Sequence, residues 1–435
     1  MTRFLIIVVL LALLGVGAYF YLNRTDSAEG TAPPIAGAPS SADVLARGEY
    51  LTKAADCIAC HTVPGTGSAF AGGVAFKLPF GTIYSPNITA DEASGIGNWS
   101  DDDFVRAVRE GIRNDGKHLY PAFPYTSYTQ LSRSDVLAIK AYLFSLPKIS
   151  QANKANDLSF RYNQRWAMGF WNAAFFKSQR FTPDPSQSPQ WNSGKYLTIA
   201  LGHCAECHTP RNLGFGLEHG NELAGEELQG WRAYNITSDP QHGIGAWSDS
   251  DIASYLTTGH ADGRGSAAGP MAEAVENSLR FLNPADAAAL ATYLRTVPAR
   301  EGKDPITIDA TAAPTLASNS AAPGGDNANA DNPGLKLFEG ACASCHQWNG
   351  KGQQTSYASL LGTRGVNDVH GTNVTQILLH GAGPHALAPN IFMPEFGNAY
   401  SDTDIASLTN YVVGHFGNKQ GNVTPDEVAQ RRKQL

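Results

Sequence analysis

All six cysteines of the chain fall into three copies of one pentapeptide: Cys57-Ile58-Ala59-Cys60-His61, Cys204-Ala205-Glu206-Cys207-His208 and Cys342-Ala343-Ser344-Cys345-His346. The pattern C-x-x-C-H is the attachment signature of a c-type haem. Two thiols add to the vinyl groups of the porphyrin, and the adjoining imidazole becomes the proximal iron ligand. A zinc site would need a second ligand pair near each first one, and none is in sequence reach. A redox dithiol would call for a βαβ context, which the glycine-rich segments after each motif do not offer. Cys57, Cys60, Cys204, Cys207, Cys342 and Cys345 are therefore read as haem attachment points, with His61, His208 and His346 as iron ligands.

The motifs recur at intervals of 147 and 138 residues in a chain of 435. That spacing suits modules of roughly 100 residues plus linkers. The expected architecture is all-α, with three tandem class I cytochrome c-like domains after an N-terminal transmembrane helix. The apolar stretch Phe4–Leu22 carries that last expectation: nineteen residues at about 1.5 Å rise span roughly one bilayer core. A cleaved secretory signal is the alternative, with Gly15-Val16-Gly17-Ala18 as a peptidase site. Either way the haem domains lie outside the cytoplasm, at the periplasmic face of the inner membrane.

The domain boundaries follow from composition and repeats. They are an anchor or signal (1–25), a linker (26–41), domain 1 (42–148), an aromatic-rich connector (149–188), domain 2 (189–300), a linker (301–332), domain 3 (333–418) and a tail (419–435). The Ala/Gly/Pro/Ser-rich linkers cannot bury enough apolar surface to order themselves. Net charge is −7, with no basic run, which excludes nucleic acid as a natural partner. Only 16% of residues are charged, against about 25% in a typical soluble domain, as suits a subunit covered in a complex.

The first two modules are repeats. Asn87-Ile88-Thr89 matches Asn235-Ile236-Thr237, and Gly95-Ile96-Gly97 matches Gly243-Ile244-Gly245, both 148 residues apart. Each module should end in a helix, opened by Ser132 with Asp135, Asn283 with Asp286, and Ser401 with Asp404 as cap and first-turn acid. The connector packs nine aromatic and methionine side chains between Phe160 and Phe181. They serve either as packing for the first two domains or as a docking surface.

An electron-carrying haem usually has both axial positions filled, commonly by His and Met. Met271 follows His208 by 63 residues and Met393 follows His346 by 47. Both stand before the closing helix and are assigned as sixth ligands. In module 1 the same offset falls on Phe123, which cannot coordinate iron. The nearest donor is His118, the tentative sixth ligand of haem 1; an open site is the alternative.

With these residues assembled, the chain resembles the triple-haem cytochrome c subunits of membrane-bound bacterial alcohol, aldehyde and gluconate dehydrogenases. The resemblance is carried by Phe80-Gly81-Thr82-Ile83-Tyr84-Ser85-Pro86-Asn87, by His118-Leu119-Tyr120-Pro121, and by Gly202-His203 with the motif that follows through Asn212. The family usually has Pro-Ala-Met-Pro-Tyr where this chain has Pro121-Ala122-Phe123-Pro124-Tyr125. The resemblance implies three covalently bound haems c passing electrons from a periplasmic catalytic subunit to ubiquinone, with no catalytic residue in this chain. Asn163-Gln164-Arg165-Trp166 with Trp171-Asn172 resembles cytochromes that accompany molybdenum-containing aldehyde dehydrogenases with an iron–sulfur subunit, more than those of pyrroloquinoline quinone alcohol dehydrogenases. The rival readings are a multihaem peroxidase, using an open haem 1, and a free-standing shuttle to a terminal oxidase.

Overall fold

The computed structural model describes residues 29–33, 35, 40, 42–303, 305–306, 332–383 and 390–434, with Gly15 and Gly17. The chain divides into two compact units, Met1–Glu206 with Asn212–Leu217, and Cys207–Arg211 with Glu218–Leu435.

In the first unit, helix Val44–Ala54 leads into the first haem motif, itself the short helix Cys57–His61. Asp56, at a left-handed φ of 53°, turns the chain between them. Helix Asp101–Glu110 follows, closed by a serine–aspartate capping box at one end and left-handed Gly111 at the other. Helix Arg133–Ser145 ends the module, and Ser132 Oγ accepts from Asp135 N as its cap. This last helix crosses Val44–Ala54 so closely that a Cβ on Gly48 would lie 2.0 Å from the Ala138 carbonyl oxygen. The same device recurs in module 3, where a Cβ on Gly334 would lie 2.2 Å from the Ser407 oxygen. Glycine at these points lets two backbones touch, which fixes the crossing that frames the haem motif.

Helix Pro189–Tyr196, which enters the second motif, also belongs to the first unit. Gly48 and Gly194 are 146 residues apart, but the cysteines they precede are 147 apart. The extra residue is absorbed by a π-turn over Leu197–Leu201, the usual way a helix takes an insertion without losing its axis. Asp135 ties this segment down: it is fully buried, paired with Arg47 at 2.7 Å, and accepts from Tyr196 OH at 2.8 Å.

The second unit holds the rest of module 2 and all of module 3. Module 2 contributes helices Asp249–Thr258, Pro270–Asn277 and Pro284–Leu294. Asn283 and Ser401 cap their helices as expected. Module 3 builds a core around Phe338, Leu378, Ile405, Leu408 and Phe416. Helix Pro425–Gln434 falls in the segment expected to be a tail, yet its fully buried Val428 joins that core. Modules 2 and 3 are joined by polar contacts: Arg232 N donates to Asn373 Oδ1, Asn373 Nδ2 donates back to the Arg232 oxygen, and Gln376 donates to the Gly230 oxygen.

Two expectations are corrected. The fold is not all-α. Strands Ala75–Leu78, Gly81–Tyr84 and Asp157–Leu158 form a three-stranded antiparallel sheet with Ala75 opposite Tyr84, and two further hairpins lie in module 2. The strands are two to four residues long, too short for alternating hydrophobicity to register against the helical pattern. The N-terminal transmembrane helix is likewise not supported. Among the described residues no helix is long and apolar enough to cross a membrane, and Phe4–Leu22 lies, apart from Gly15 and Gly17, outside them. Most of the linker 301–332 lies outside them too. In the first linker the Glu29 oxygen accepts from Arg133 N, and Ile35 is buried.

Candidate haem sites

Each motif histidine is held in the same way. His61 Nδ1 donates to the Pro86 oxygen at 2.8 Å, His208 Nδ1 to the Tyr234 oxygen at 2.6 Å, and His346 Nδ1 to the Ala358 oxygen at 2.7 Å. A carbonyl on Nδ1 fixes the tautomer and leaves Nε2 as the free lone pair, the arrangement that orients a histidine toward a metal. Burial also pushes all three imidazoles below their ordinary pKa, His208 to about 4. They are therefore neutral, as ligation requires.

In the first and third motifs the leading thiol is not activated as a redox nucleophile would be. None of the six cysteines forms a disulfide. Burial pushes Cys57 up to about 12 and Cys342 up to about 11, whereas a redox dithiol needs a lowered pKa. Among the described residues no three His, Cys, Asp or Glu side chains converge to hold a metal. The residues present fit haem c: in each motif two cysteines would tether the porphyrin, and the histidine Nε2 would take its iron.

The loops beyond each histidine explain the repeats. Asn87 and Asn235 directly follow the carbonyl-bearing Pro86 and Tyr234. Each side-chain oxygen accepts from the threonine two residues on, and the Nδ2 groups reach the Ile149 oxygen, just past the end of module 1, and the Arg300 oxygen, at the end of module 2. The N-I-T strings are thus buried clamps holding the carbonyl that orients the proximal histidine.

Met271 is partly buried in the first turn of helix Pro270–Asn277. Met393 pairs with Ala382 in an isolated antiparallel bridge and packs on the module 3 core. In module 1 the corresponding bridge joins Ile112 to His118. His118 and Met393 thus each lie opposite the residue that follows a positive-φ glycine, Gly111 or Gly381. Phe123 is partly buried, its ring 5.5 Å from that of Tyr128, whose hydroxyl donates to the Ala55 oxygen beside the first motif. His118 is buried, and burial lowers its pKa. Its Nδ1 lies 3.5 Å from the side-chain amide of Asn172, which also accepts from Tyr125 OH. Asn172 carries no sequence signal of its own for this role; only its place in the aromatic connector hints at burial.

A family model for cytochrome c matches residues 45–147 and 332–415. Over 416 residues the chain is 39% identical to the fructose dehydrogenase cytochrome subunit of Gluconobacter japonicus, covering 92% of this chain and 85% of that one. The chain belongs to the family of cytochrome c subunits of bacterial dehydrogenases. It is 35% identical to the gluconate 2-dehydrogenase cytochrome c subunit of Pantoea cypripedii over 90% of both chains. It is also 40% identical, over 88% of its own length, to a nicotinate dehydrogenase subunit of Pseudomonas putida, of which the match spans 31%. Like its relatives it is an electron-transfer subunit carrying covalent haem c, not the catalytic subunit.

Proposed function

We propose that the chain carries three haems c and relays electrons from a periplasmic dehydrogenase subunit to ubiquinone at the inner-membrane face. The observation that carries this is the threefold recurrence of one proximal posture, each histidine Nδ1 spent on a backbone carbonyl. Met271 and Met393 complete haems 2 and 3, and His118 completes haem 1 with Asn172 orienting its ring. The relatives' names differ in substrate (fructose, gluconate, nicotinate and alcohols), so the substrate is the partner's property. For this chain we favour an aldehyde- or alcohol-oxidising partner of the molybdenum type with an iron–sulfur subunit, on the sequence of the connector.

The connector supports docking of that partner. Part of it turns inward, with Phe181 and Asn172 buried. Phe160, Trp166 and Phe170 remain 78%, 64% and 60% exposed, and Trp166 and Phe170 pack edge to face at 6.1 Å. Exposed rings in such a group mark an interaction surface. Tagged protein from the native host should co-purify with a large dehydrogenase subunit and reduce ubiquinone when substrate is added. The Trp166→Ser/Phe170→Ser chain should lose the partner while keeping its haem content. A wild-type chain that purifies alone and is reduced only by soluble donors would contradict this reading.

A further inference from the structure

Module 3 reaches into the haem-bearing loop of module 2 through a single buried cation. Arg364, at the start of helix Arg364–Asn367, is 7% exposed. Its two terminal nitrogens donate to the Asn235 and Gly243 oxygens. These flank the loop whose first carbonyl, that of Tyr234, orients His208. The guanidinium lies over the Tyr234 and Trp247 rings at 5.9 and 5.5 Å.

This cation is incompletely satisfied. No carboxylate forms a salt bridge with it among the described residues, and burial pushes its pKa down to about 10. Its Nε and the Tyr234 hydroxyl are both buried without a hydrogen-bond partner. A buried charge of this kind is costly unless something of opposite sign meets it. A small recess lies beside it, lined by Pro240, Gly243, Ala246, Trp247, Arg264 and Gly362, with two cations and no acid in its wall. Arg264 is itself paired with Asp251 outside that wall. Module 1 differs: beside its corresponding loop the neutral Asn153 donates to the Ser94 oxygen.

We propose that Arg364 is a positioning residue supplied by module 3 to module 2, taking a propionate carboxylate of the haem tethered at Cys204 and Cys207 and thereby raising that haem's potential. The sign follows from charge. Ferric haem carries one more positive charge than ferrous haem, so a buried guanidinium favours the reduced form, and neutralising the propionate acts in the same direction. At the corresponding loop of module 1 the side chain in this position, Asn153, is neutral. The inference rests on haem attachment at the second motif; a chain lacking that haem would show fewer than three redox steps, a different failure from the one below.

The test is a spectroelectrochemical titration of the full three-haem protein. Arg364→Gln should lower one of three midpoint potentials by on the order of tenfold in its reduction equilibrium, about 59 mV for one electron, and leave two in place. A Met271→His background, which alters the same haem's axial ligand, should shift that same step. Arg364→Lys should recover part of the loss. Arg264→Gln, at the half-buried rim of the recess, should lower the same step by less, and it decides the matter if Arg364→Gln does not assemble. Three unchanged potentials in a three-haem Arg264→Gln or Arg364→Gln protein would overturn the proposal. So would a potential in the wild-type protein that moves with inorganic phosphate at constant ionic strength, which would make the pocket's occupant a free anion.

Discussion

Replacing Asp135 by alanine should cost the first unit about 3–5 kcal/mol, the usual penalty for removing one partner of a buried ion pair. The carboxylate is fully buried, pairs with Arg47 and accepts from Tyr196 OH. Its loss strands a guanidinium that is only 11% exposed, together with a buried hydroxyl. Three helices lose their common anchor: Val44–Ala54, Arg133–Ser145 and Pro189–Tyr196. For a unit of this size the melting temperature should fall by roughly 10 °C. Asp135→Asn, which keeps the shape and one acceptor oxygen, should lose less. Circular dichroism melts of the haem-loaded protein measure both. A loss under about 1 kcal/mol for Asp135→Ala would mean that Arg47 and Tyr196 find water instead.

The second large effect is optical. His118→Ala should convert one haem in three from low-spin to high-spin, because Phe123 offers no replacement ligand and the site opens to water. Added imidazole should restore the low-spin band. Phe123→Met in the same background should restore low-spin character with a methionine ligand and raise that haem's potential. An unchanged low-spin spectrum in His118→Ala would exclude the ligation. The neutral state imposed by burial keeps the imidazole lone pair available near neutral pH.

Much of the site is legible in the sequence because covalent attachment leaves a local signature. The pentapeptides, the closing helices with Ser132, Asn283 and Ser401 as caps, and the duplication of the first two modules all depend on neighbours close in sequence. What escapes depends on distance. The strands at 75–84 are four residues each, paired in one case with a dipeptide more than seventy residues on. Arg364 meets a loop some 120–130 residues earlier, and only the tertiary fold makes an ordinary surface-type arginine the buried cation of another module. Asn172 likewise acquires its meaning from His118 and Tyr125. The apolar run Phe4–Leu22, which hydropathy suggests as a membrane helix, lies outside the described residues apart from Gly15 and Gly17. The inserted residue before the second motif is visible as a one-residue discrepancy in the repeat, but its accommodation by a π-turn is not.

If each of the three motif histidines serves a covalently bound haem, the chain is a three-iron relay, and its mass must show it. Intact-mass analysis of the mature protein, from a host able to mature cytochromes c, decides the point. The expected result is a polypeptide heavier by three porphyrins, falling to two when Cys342 and Cys345 are replaced by alanine. A mature chain carrying two haems or fewer with all six cysteines intact would contradict the relay.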